Sequence, residues 1–540
     1  MLLTASLSAA LPLSAASHVD VVKMRTENRV NPLGIGTSTP RFSWQITSDR
    51  KGVVQTSYQI LVASSREKLD RNEADLWDSG ERNSDEQLWI PYQGKALLSG
   101  AQAYWKVRIT TNKGKSEWTE PQLFTIGLLG ETKWSGTWIG LEDLQPGEQK
   151  GMHTRLAARY IRKDFAAKGK VKQALAYVAG LGVYEFYVNG QRMGGSQALQ
   201  PAPTDYRKTI YYNTFDVTSL LTEKNAIAIK LGNGRMFPMR QEKAYKTPFF
   251  GYPKCRINVK VEYENGKTET WATNNTWKLS FDGPIRSNNE YDGEEYDARR
   301  EQALKGWTQA GFDDSQWQKA ERCAIPDGTL MAQPMTGMVE KEFGHPVSLK
   351  HRHDTLIVDF GQNMAGWIKL RIGGVKAGDS VKIQYAEKLN EDGSLFTKNL
   401  RNAFTTDYYV AAGNEDGRWW APTFVYHGFR YAEITGLDDV TADGIIGEVV
   451  SDEMEQTGSF ECADTILNKV YNNAMWGILG NYKGMPVDCP QRDERQPWLG
   501  DRVRGCFGEA FIFNNNALYA KWARDITEAQ REDGCIPDVA

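Results

Sequence analysis

Hydrophobic and polar positions alternate with a period of two along most of this chain, and the period lengthens to about 3.6 after Ser451. A period of two is typical of half-buried β-strands, and a period of 3.6 is typical of amphipathic helices. The pattern therefore predicts a multidomain protein in which all-β modules precede a helical domain. Because 540 residues exceed what one hydrophobic core normally serves, we expect four domains.

The three β-modules are predicted from strands and turn residues. Residues 18–127 resemble a fibronectin type III sandwich, with short alternating segments separated by turns. Residues 128–327 are typical of a jelly-roll β-sandwich, in which Asn189-Gly190 provides the tight turn of a hairpin. A further β-sandwich is predicted for residues 328–450.

Polar groups within the β-modules were considered as sites. The acidic stretch 289–297 offers oxygen ligands, but its spacing matches no EF-hand loop, so a solvated turn is favoured and a structural calcium stays possible. Glu387, Asp407 and His427 lie at strand ends. A single histidine in such a place is more often structural than catalytic.

The helical domain is predicted to cover residues 451–540 and to begin an (α/α)6 toroid. Asp464 is a plausible N-cap for its first helix. Two sets of apolar residues each share one helical face: Ile466, Val470, Tyr471, Ala474 and Ile478, and later Ala517, Trp522, Ile526 and Ala529. The length permits about three or four helices, which is too few for a closed barrel, so we expect the chain to be a fragment.

Composition excludes several function classes. The formal net charge is −3 and no block of five Lys or Arg residues occurs, which argues against nucleic-acid and anionic-membrane partners. No later segment has the roughly 20 consecutive apolar residues of a membrane span. The six cysteines lack CxxC spacing, so we predict buried thiols and no metal site, with one disulfide among Cys462–Cys535 as the alternative.

Residues 1–17 form a short apolar run that ends in Ser14-Ala15-Ala16, small residues suited to signal peptidase. This segment predicts a signal peptide and export to the periplasm or the extracellular space. No Lys or Arg precedes the run, so a misassigned start codon or a disordered leader is the alternative.

The best candidate for chemistry lies near the C-terminal end, in Asp488-Cys489-Pro490-Gln491-Arg492-Asp493-Glu494-Arg495-Gln496-Pro497-Trp498-Leu499-Gly500-Asp501. These fourteen residues contain four carboxylates, two guanidiniums and an indole. Pro490 and Pro497 disfavour helical geometry, so the carboxylates are expected on a shaped loop.

Glycoside cleavage needs one protonated and one ionised carboxyl group. Asp488, Asp493 and Asp501 flank Glu494, and like charges together with burial favour its protonated form. Arg492 and Arg495 act in the opposite direction: Glu494 stays protonated if they point aside and not if they form salt bridges with it. A structural ion-pair network at a helix junction is the alternative.

Four blocks support a resemblance to a known family. They are Glu295-Tyr296-Asp297-Ala298-Arg299, Asp359-Phe360-Gly361-Gln362-Asn363-Met364-Ala365-Gly366, Tyr426-His427-Gly428-Phe429-Arg430-Tyr431 and Asp488-Cys489-Pro490-Gln491-Arg492-Asp493-Glu494-Arg495. In this order they resemble the signatures of bacterial α-L-rhamnosidases of glycoside hydrolase family 78.

The resemblance implies β-sandwich modules followed by an (α/α)6 toroid, and hydrolysis of terminal α-L-rhamnosyl residues with inversion. It implies that Glu494 is the general acid and that Asp488, Arg492, Trp498 and Asp501 shape the rhamnose subsite. The general base is expected beyond residue 540, and the chemistry requires no cofactor.

Some residues depart from the family pattern. Gln496-Pro497-Trp498-Leu499-Gly500-Asp501 replaces a more usual Leu-Gly-Trp-Thr-Gly-Asp, although Trp498 and Asp501 stay in register. The jelly roll reads Pro201-Ala202-Pro203-Thr204-Asp205-Tyr206 without the tryptophan common in relatives, and Arg235 stands where an aromatic is expected. These changes weaken any prediction that the jelly roll binds rhamnose.

Two alternatives to a rhamnosidase stay open: a non-catalytic carbohydrate-binding protein, and a glycosidase with another sugar specificity. The expected partner in each is a carbohydrate, such as a rhamnose-containing glycan or glycoside.

We predict that the purified 540-residue chain by itself does not hydrolyse p-nitrophenyl α-L-rhamnoside, because the expected general base is absent from it. Release of p-nitrophenol is the measurement, and turnover by this chain would refute the prediction.

Overall fold

The computed structural model describes residues 19–149, 155–238, 248–437 and 440–540. The chain divides into two compact units between Ile126 and Gly127. The predicted signal segment, residues 1–17, lies outside the described residues. Among the described residues, no helix combines the length and apolarity needed to cross a membrane.

The first unit contains two β-sheets, with strand orders β1-β2-β5 and β4-β3-β6-β7, and β8 pairs with β6. The alternating segments identified in the sequence lie in β2, β3 and β6, and their inward residues include Phe42 and Trp105, whose ring centroids are 4.4 Å apart. The elements are β1 (Val19–Thr26), β2 (Arg41–Ser48), β3 (Gln55–Ala63), α1 (Arg66–Asp70), β4 (Trp77–Asp78), β5 (Ile90–Pro91), β6 (Gln102–Thr111), β7 (Gly114–Lys115) and β8 (Gln122–Thr125).

The second unit begins with a pair of sheets that share one hydrophobic core. Their orders are β13-β12-β15-β10-β18-β21 and β22-β9-β16-β11-β14-β23, and β17 pairs with β16. The predicted Asn-Gly turn is present: Val188 pairs with Gln191, and Asn189 and Gly190 have φ angles of 48° and 86°. The strands are β9 (Ile139–Gly140), β10 (Arg159–Ala166), β11 (Val171–Leu181), β12 (Val183–Val188), β13 (Gln191–Arg192), β14 (Thr209–Asp216), β15 (Lys224–Gly232), β16 (Lys254–Tyr263), β17 (Thr268–Ala272), β18 (Lys278–Ser280), β21 (Gln318–Lys319), β22 (Glu321–Arg322) and β23 (Thr329–Ala332).

A ten-stranded sheet, called the third sheet below, follows the order β19-β20-β28-β27-β30-β26-β31-β24, and β25 and β29 pair with β26. The strands are β19 (Ile285–Asn289), β20 (Gly293–Asp297), β24 (Met338–Gly344), β25 (Ser348–Arg352), β26 (Thr355–Ile372), β27 (Ser380–Ala386), β28 (Thr406–Val410), β29 (Arg418–Trp420), β30 (His427–Thr435) and β31 (Ile445–Asp452). His427 is fully buried, lies 3.1 Å from Asp407 and stacks on Tyr385, which makes it a structural residue.

The acidic stretch 289–297 is not the solvated turn that the sequence predicts. Its strands β19 and β20 join the third sheet through β28, although they lie within residues 128–327, which are predicted for the second module. The cause is non-local: the buried carboxylate of Glu294 accepts hydrogen bonds from the main-chain amides of Thr423 and Phe424, at 3.1 Å. Glu294 is therefore a structural group that crosslinks this sheet, not an exposed calcium ligand.

Four helices follow the last strand, which ends at Asp452. They are α2 (Thr465–Asn481), α3 (Leu499–Arg502), α4 (Cys506–Glu509) and α5 (Asn516–Ala529). Asp464 caps α2 as predicted, because its carboxylate accepts from the amides of Ile466 and Leu467. Periodicity identifies an apolar face but not what covers it: in the described part of the chain, Ile466 and Val470 of that face are exposed.

Glu294 predicts a pH dependence of stability. Burial raises the pKa of its carboxyl to about 8, so the folded protein holds a proton there that the unfolded chain releases near pH ~4.3. Stability should therefore fall with rising pH between these values, by about 1.4 kcal/mol per pH unit for one proton.

We expect Glu294→Gln to remove this dependence and to gain stability relative to wild type between pH 5 and 8, measured as the thermal unfolding midpoint. Glu295→Gln is the matched control, because the Glu295 side chain is 36% exposed and pairs with Arg155. Parallel pH profiles for wild type and Glu294→Gln would contradict the prediction.

Candidate active site

The residues from Asp488 to Trp498 form an irregular loop, called the motif loop below, between helices α2 and α3. The loop closes on itself: the Asp488 amide donates to the Gln496 carbonyl at 2.9 Å, and the Gln496 amide donates to Asp488 Oδ1 at 2.7 Å. The loop predicted from Pro490 and Pro497 is therefore present, and its ends are held together by Asp488.

Glu494 is 7% exposed and all its described polar contacts are with nitrogen donors. Its Oε2 lies 2.9 Å from Arg492 Nε and 2.9 Å from Arg401 Nη2. Its Oε1 accepts a hydrogen bond of 3.1 Å from the indole nitrogen of Trp498. Two positive charges and one neutral donor thus surround this carboxylate.

The sequence left open whether the motif arginines point aside or form salt bridges with Glu494, and Arg492 forms one. Its guanidinium binds Glu494 and also Asp488 Oδ2, at 3.2 Å, so it bridges two carboxylates. Arg495 does point aside.

Arg401 was not predicted from the sequence. It follows a short turn before β28 and has φ 59° and ψ −110°, outside the regions that non-glycine residues favour. Its side chain is 47% exposed, yet it reaches a nearly buried carboxylate. Nothing in its local sequence indicates the contact, since the third sheet brings it to Glu494.

Arg495 fixes the backbone on the other side of Glu494. It is fully buried, has φ 52°, and donates to the carbonyls of Tyr426, at 2.9 Å, Arg492, at 3.2 Å, and Glu290. Its guanidinium also lies 4.5 Å from the ring centroid of Tyr426. One side chain thus ties the motif loop to two segments of the β-modules.

Arg235 supports the same loop from the second module. Its guanidinium donates to the Arg495 carbonyl at 2.5 Å and pairs with Glu290 at 3.4 Å. The residue that replaces an expected aromatic is therefore a buried structural contact to the motif loop.

The structure joins four of the five predicted site residues in one series of contacts, from Asp488 through Arg492 and Glu494 to Trp498. Asp501 lies on α3 with its side chain exposed. Trp498 is partly buried, so one part of its indole is available to a ligand.

Cys489 completes a cluster with Asp488 and Glu494, whose potential ligand atoms lie within 4.8 Å of one another. Burial, aided by a hydrogen bond to Asp488, raises the pKa of the Cys489 thiol to about 12, so it is neutral. Both carboxylates already bind Arg492, so a cation would have to compete with a guanidinium. All six cysteines are free thiols, and the disulfide alternative is not realised.

A cavity of about 430 Å³ adjoins the motif loop. The third sheet contributes Gln362, Asn363, Met364 and Glu387; α2 contributes Asn473, Trp476, Gly477, Gly480 and Asn481; and the loop contributes Asp488–Arg492. Glu494 is not among the residues that line it. Arg492 is the side chain that both contacts Glu494 and faces the cavity.

Glu387, which the sequence places at a strand end, lines this cavity. Asn363 donates to its Oε1 at 2.8 Å and Asn399 donates to its Oε2 at 3.3 Å. Burial, opposed by hydrogen bonds from Asn363 and Gln491, raises the pKa of Glu387. The sequence signal nearest to this cavity is the block from Asp359 to Gly366, which contributes Gln362 and Asn363 to the lining and which the sequence linked only to the family resemblance.

Four known domain families match this chain. Residues 21–130 match the Rha78A-like N-terminal immunoglobulin domain, and residues 169–342 match the alpha-L-rhamnosidase N-terminal domain. Residues 349–451 match the bacterial alpha-L-rhamnosidase concanavalin-like domain. Residues 455–540 match the bacterial alpha-L-rhamnosidase 6 hairpin glycosidase domain.

Whole proteins are similar as well. An alpha-L-rhamnosidase of Alteromonas sp. (strain LOR) is 35% identical over 525 residues, which cover 95% of this chain and 56% of the relative. The structure of an alpha-L-rhamnosidase from Dictyoglumus thermophilum has a TM-score of 0.87 and 37% identity over 96% of this chain and 58% of that chain.

A Streptomyces avermitilis alpha-L-rhamnosidase, solved in complex with L-rhamnose, has a TM-score of 0.88 and 26% identity over 97% of this chain and 66% of that chain. The chain thus spans 56% to 66% of the length of these relatives.

Arg495→Met should destabilise the second unit by about 3 kcal/mol, because buried main-chain carbonyls lose a charged donor while the substituted side chain still fills the space. The measurement is the denaturant midpoint of unfolding, followed by tryptophan fluorescence. Arg504→Met is the control, since Arg504 is exposed in the turn between α3 and α4. Equal midpoints for the two variants would contradict the role given to Arg495.

Proposed function

Since this chain carries domains of the α-L-rhamnosidases over most of its length, we propose that it belongs to an inverting glycoside hydrolase that releases terminal α-L-rhamnose from glycans or glycosides. In this proposal Glu494 is the general acid, and Asp488, Arg492, Trp498 and Asp501 form the rhamnose subsite. Hydrogen bonds link four of these five side chains in series, and this observation carries the proposal.

The proposed reaction is a single displacement. Glu494 protonates the departing glycosidic oxygen while a carboxylate on the opposite face activates water, a geometry that requires about 6.5 to 9.5 Å between the two groups. We propose that the second carboxylate lies in a region of the complete gene product that corresponds to the part of the longer relatives that this chain does not span.

Glu494 must donate a proton in this role, and in the free protein its Oε2 contacts Arg492 and Arg401. We propose that substrate binding rearranges these contacts, because the Arg401 side chain is half-exposed and Arg492 can release Glu494 and still keep Asp488 as a partner.

Non-catalytic carbohydrate binding is the second candidate function. The observation that favours it is the ion-paired state of Glu494, together with the absence of this side chain from the lining of the adjacent cavity. In that case the motif loop would recognise a sugar through Asp488 and Arg492 without proton transfer.

The substrate class and the compartment are parts of the same proposal. A rhamnose-capped glycan or glycoside is the proposed partner, and export to the periplasm or outside the cell is proposed from residues 1–17.

Glu494→Gln should lower kcat on a natural rhamnoside by roughly 100-fold or more, because an alkoxide leaving group needs a proton donor. On p-nitrophenyl α-L-rhamnoside the loss should be smaller, since p-nitrophenolate leaves without one. The assay uses the complete gene product that contains this sequence, and NMR of the first-formed anomer tests inversion.

Glu461→Gln is the control for a conservative change at an exposed glutamate of the helical domain. Undiminished turnover of the natural rhamnoside by Glu494→Gln would exclude Glu494 as the acid. Binding of L-rhamnose without any turnover by the wild type would support the second candidate.

A further inference from the structure

The cavity between the third sheet and α2 is more polar than packing requires. Its lining includes five carboxamides, which are Gln362, Asn363, Asn473, Asn481 and Gln491. It also contains two carboxylates, one guanidinium and the indole of Trp476. Its volume of about 430 Å³ falls within the range of roughly 300 to 1,000 Å³ that small-molecule sites occupy.

Two of these amides have an unsatisfied acceptor. The side-chain oxygens of Asn481 and Gln491 are shielded from solvent, and no described residue donates a hydrogen bond to either. Buried polar atoms are normally paired, so two unpaired acceptors beside one cavity mark a place where packing of the described residues leaves hydrogen-bonding capacity unused.

Helix α2 also leaves this space open. Asn473, Trp476, Gly477, Gly480 and Asn481 follow the i, i+3, i+4, i+7, i+8 spacing of one helical face, and together they form its cavity wall. A Cβ atom at Gly477 would meet nothing within 4 Å, and one at Gly480 would meet only Pro490 Cγ, at 4.0 Å. Glycine destabilises the interior of a helix. At Gly477 and Gly480 no close contact among the described residues requires a glycine.

The remaining lining groups are already oriented. Asn363 and Asn399 hold the Glu387 carboxylate, and Arg492 holds Asp488. Carboxylates and amide oxygens accept hydrogen bonds from hydroxyl groups, and an indole offers a flat apolar surface to the C–H groups of a ring. A polyhydroxylated ring, which is a sugar, matches this set of groups.

Asp488 and Arg492 belong both to this cavity and to the proposed rhamnose subsite, while Trp498 does not line it. From this geometry we infer that the cavity is a second carbohydrate subsite, which receives the sugar to which the terminal rhamnose is attached. Glu387 and Asp488 would accept hydrogen bonds from its hydroxyl groups. The inference rests on the proposed function and adds the recognition of the leaving group.

The test compares two substrates with the same rhamnose. α-L-Rhamnosyl fluoride has a leaving group too small to reach the cavity, whereas a rhamnosyl-glucose disaccharide fills it. Gly477→Phe should lower kcat/KM for the disaccharide by about tenfold or more, mainly through KM, which corresponds to roughly 1.4 kcal/mol. Activity on the fluoride should stay within about twofold of wild type, because a Cβ atom at Gly477 lies more than 4 Å from Asp488 and Arg492 of the proposed rhamnose subsite.

Gly508→Phe is the matched control. Gly508 also lies in a helix, a Cβ atom there also meets nothing within 4 Å, and it does not line the cavity. Glu387→Gln is a second variant that preserves shape and removes a charge, and it should affect the disaccharide selectively as well. Thermal midpoints near that of wild type would show that the variants fold.

Equal losses on both substrates, or no loss on either, would overturn the second subsite and leave the proposed function intact. The kinetic assays use the complete gene product that contains this sequence. If its wild-type form hydrolyses neither substrate, the proposed function fails, and disaccharide binding is then measured by NMR saturation transfer on this chain. Binding that Gly477→Phe abolishes would support the cavity as a sugar site. Binding that this variant leaves unchanged would refute it.

Discussion

The buried guanidinium of Arg495 is the contact on which the geometry of the motif depends. It binds main-chain carbonyls of Arg492, Tyr426 and Glu290, and the Arg495 carbonyl accepts in turn from Arg235. A guanidinium is always charged and presents several donors in a fixed plane, so it can hold three chain segments in one arrangement. The positions of Glu494 and Arg492 follow from that arrangement, because they belong to the same short loop.

The site is therefore built from residues of several modules. The motif loop belongs to the helical part, Arg401 and Glu387 come from the third sheet, and Arg235 comes from the second module. Neither a sheet nor a helix pair would orient Glu494 alone. The cavity beside the loop has the same origin, since one wall is sheet and the opposite wall is the glycine-containing face of α2.

Two arginines contact the carboxyl group that is proposed to donate the proton. Glu494 is nearly buried and contacts two guanidiniums in the free protein. A general acid must be protonated when the leaving group departs. The two arginines differ in how each could leave Glu494. The Arg401 side chain is half-exposed and can turn to solvent, whereas Arg492 keeps Asp488 as an alternative partner.

The sequence determined what depends on neighbours along the chain. The change of period after Ser451, the Asn189-Gly190 turn, the Asp464 cap and the irregular motif loop are all present, because local backbone preferences and side-chain capping decide them. The four motif blocks, taken in their order along the chain, also predicted a resemblance to α-L-rhamnosidases, and α-L-rhamnosidase domain families match this chain. Only the tertiary structure decided which distant groups meet: Arg401 with Glu494, Arg235 with Arg495, Glu294 with the amide of Phe424, and Glu387 with the cavity. Sequence spacing contains no information on such distances, since they result from the pairing of strands and the packing of modules far apart along the chain.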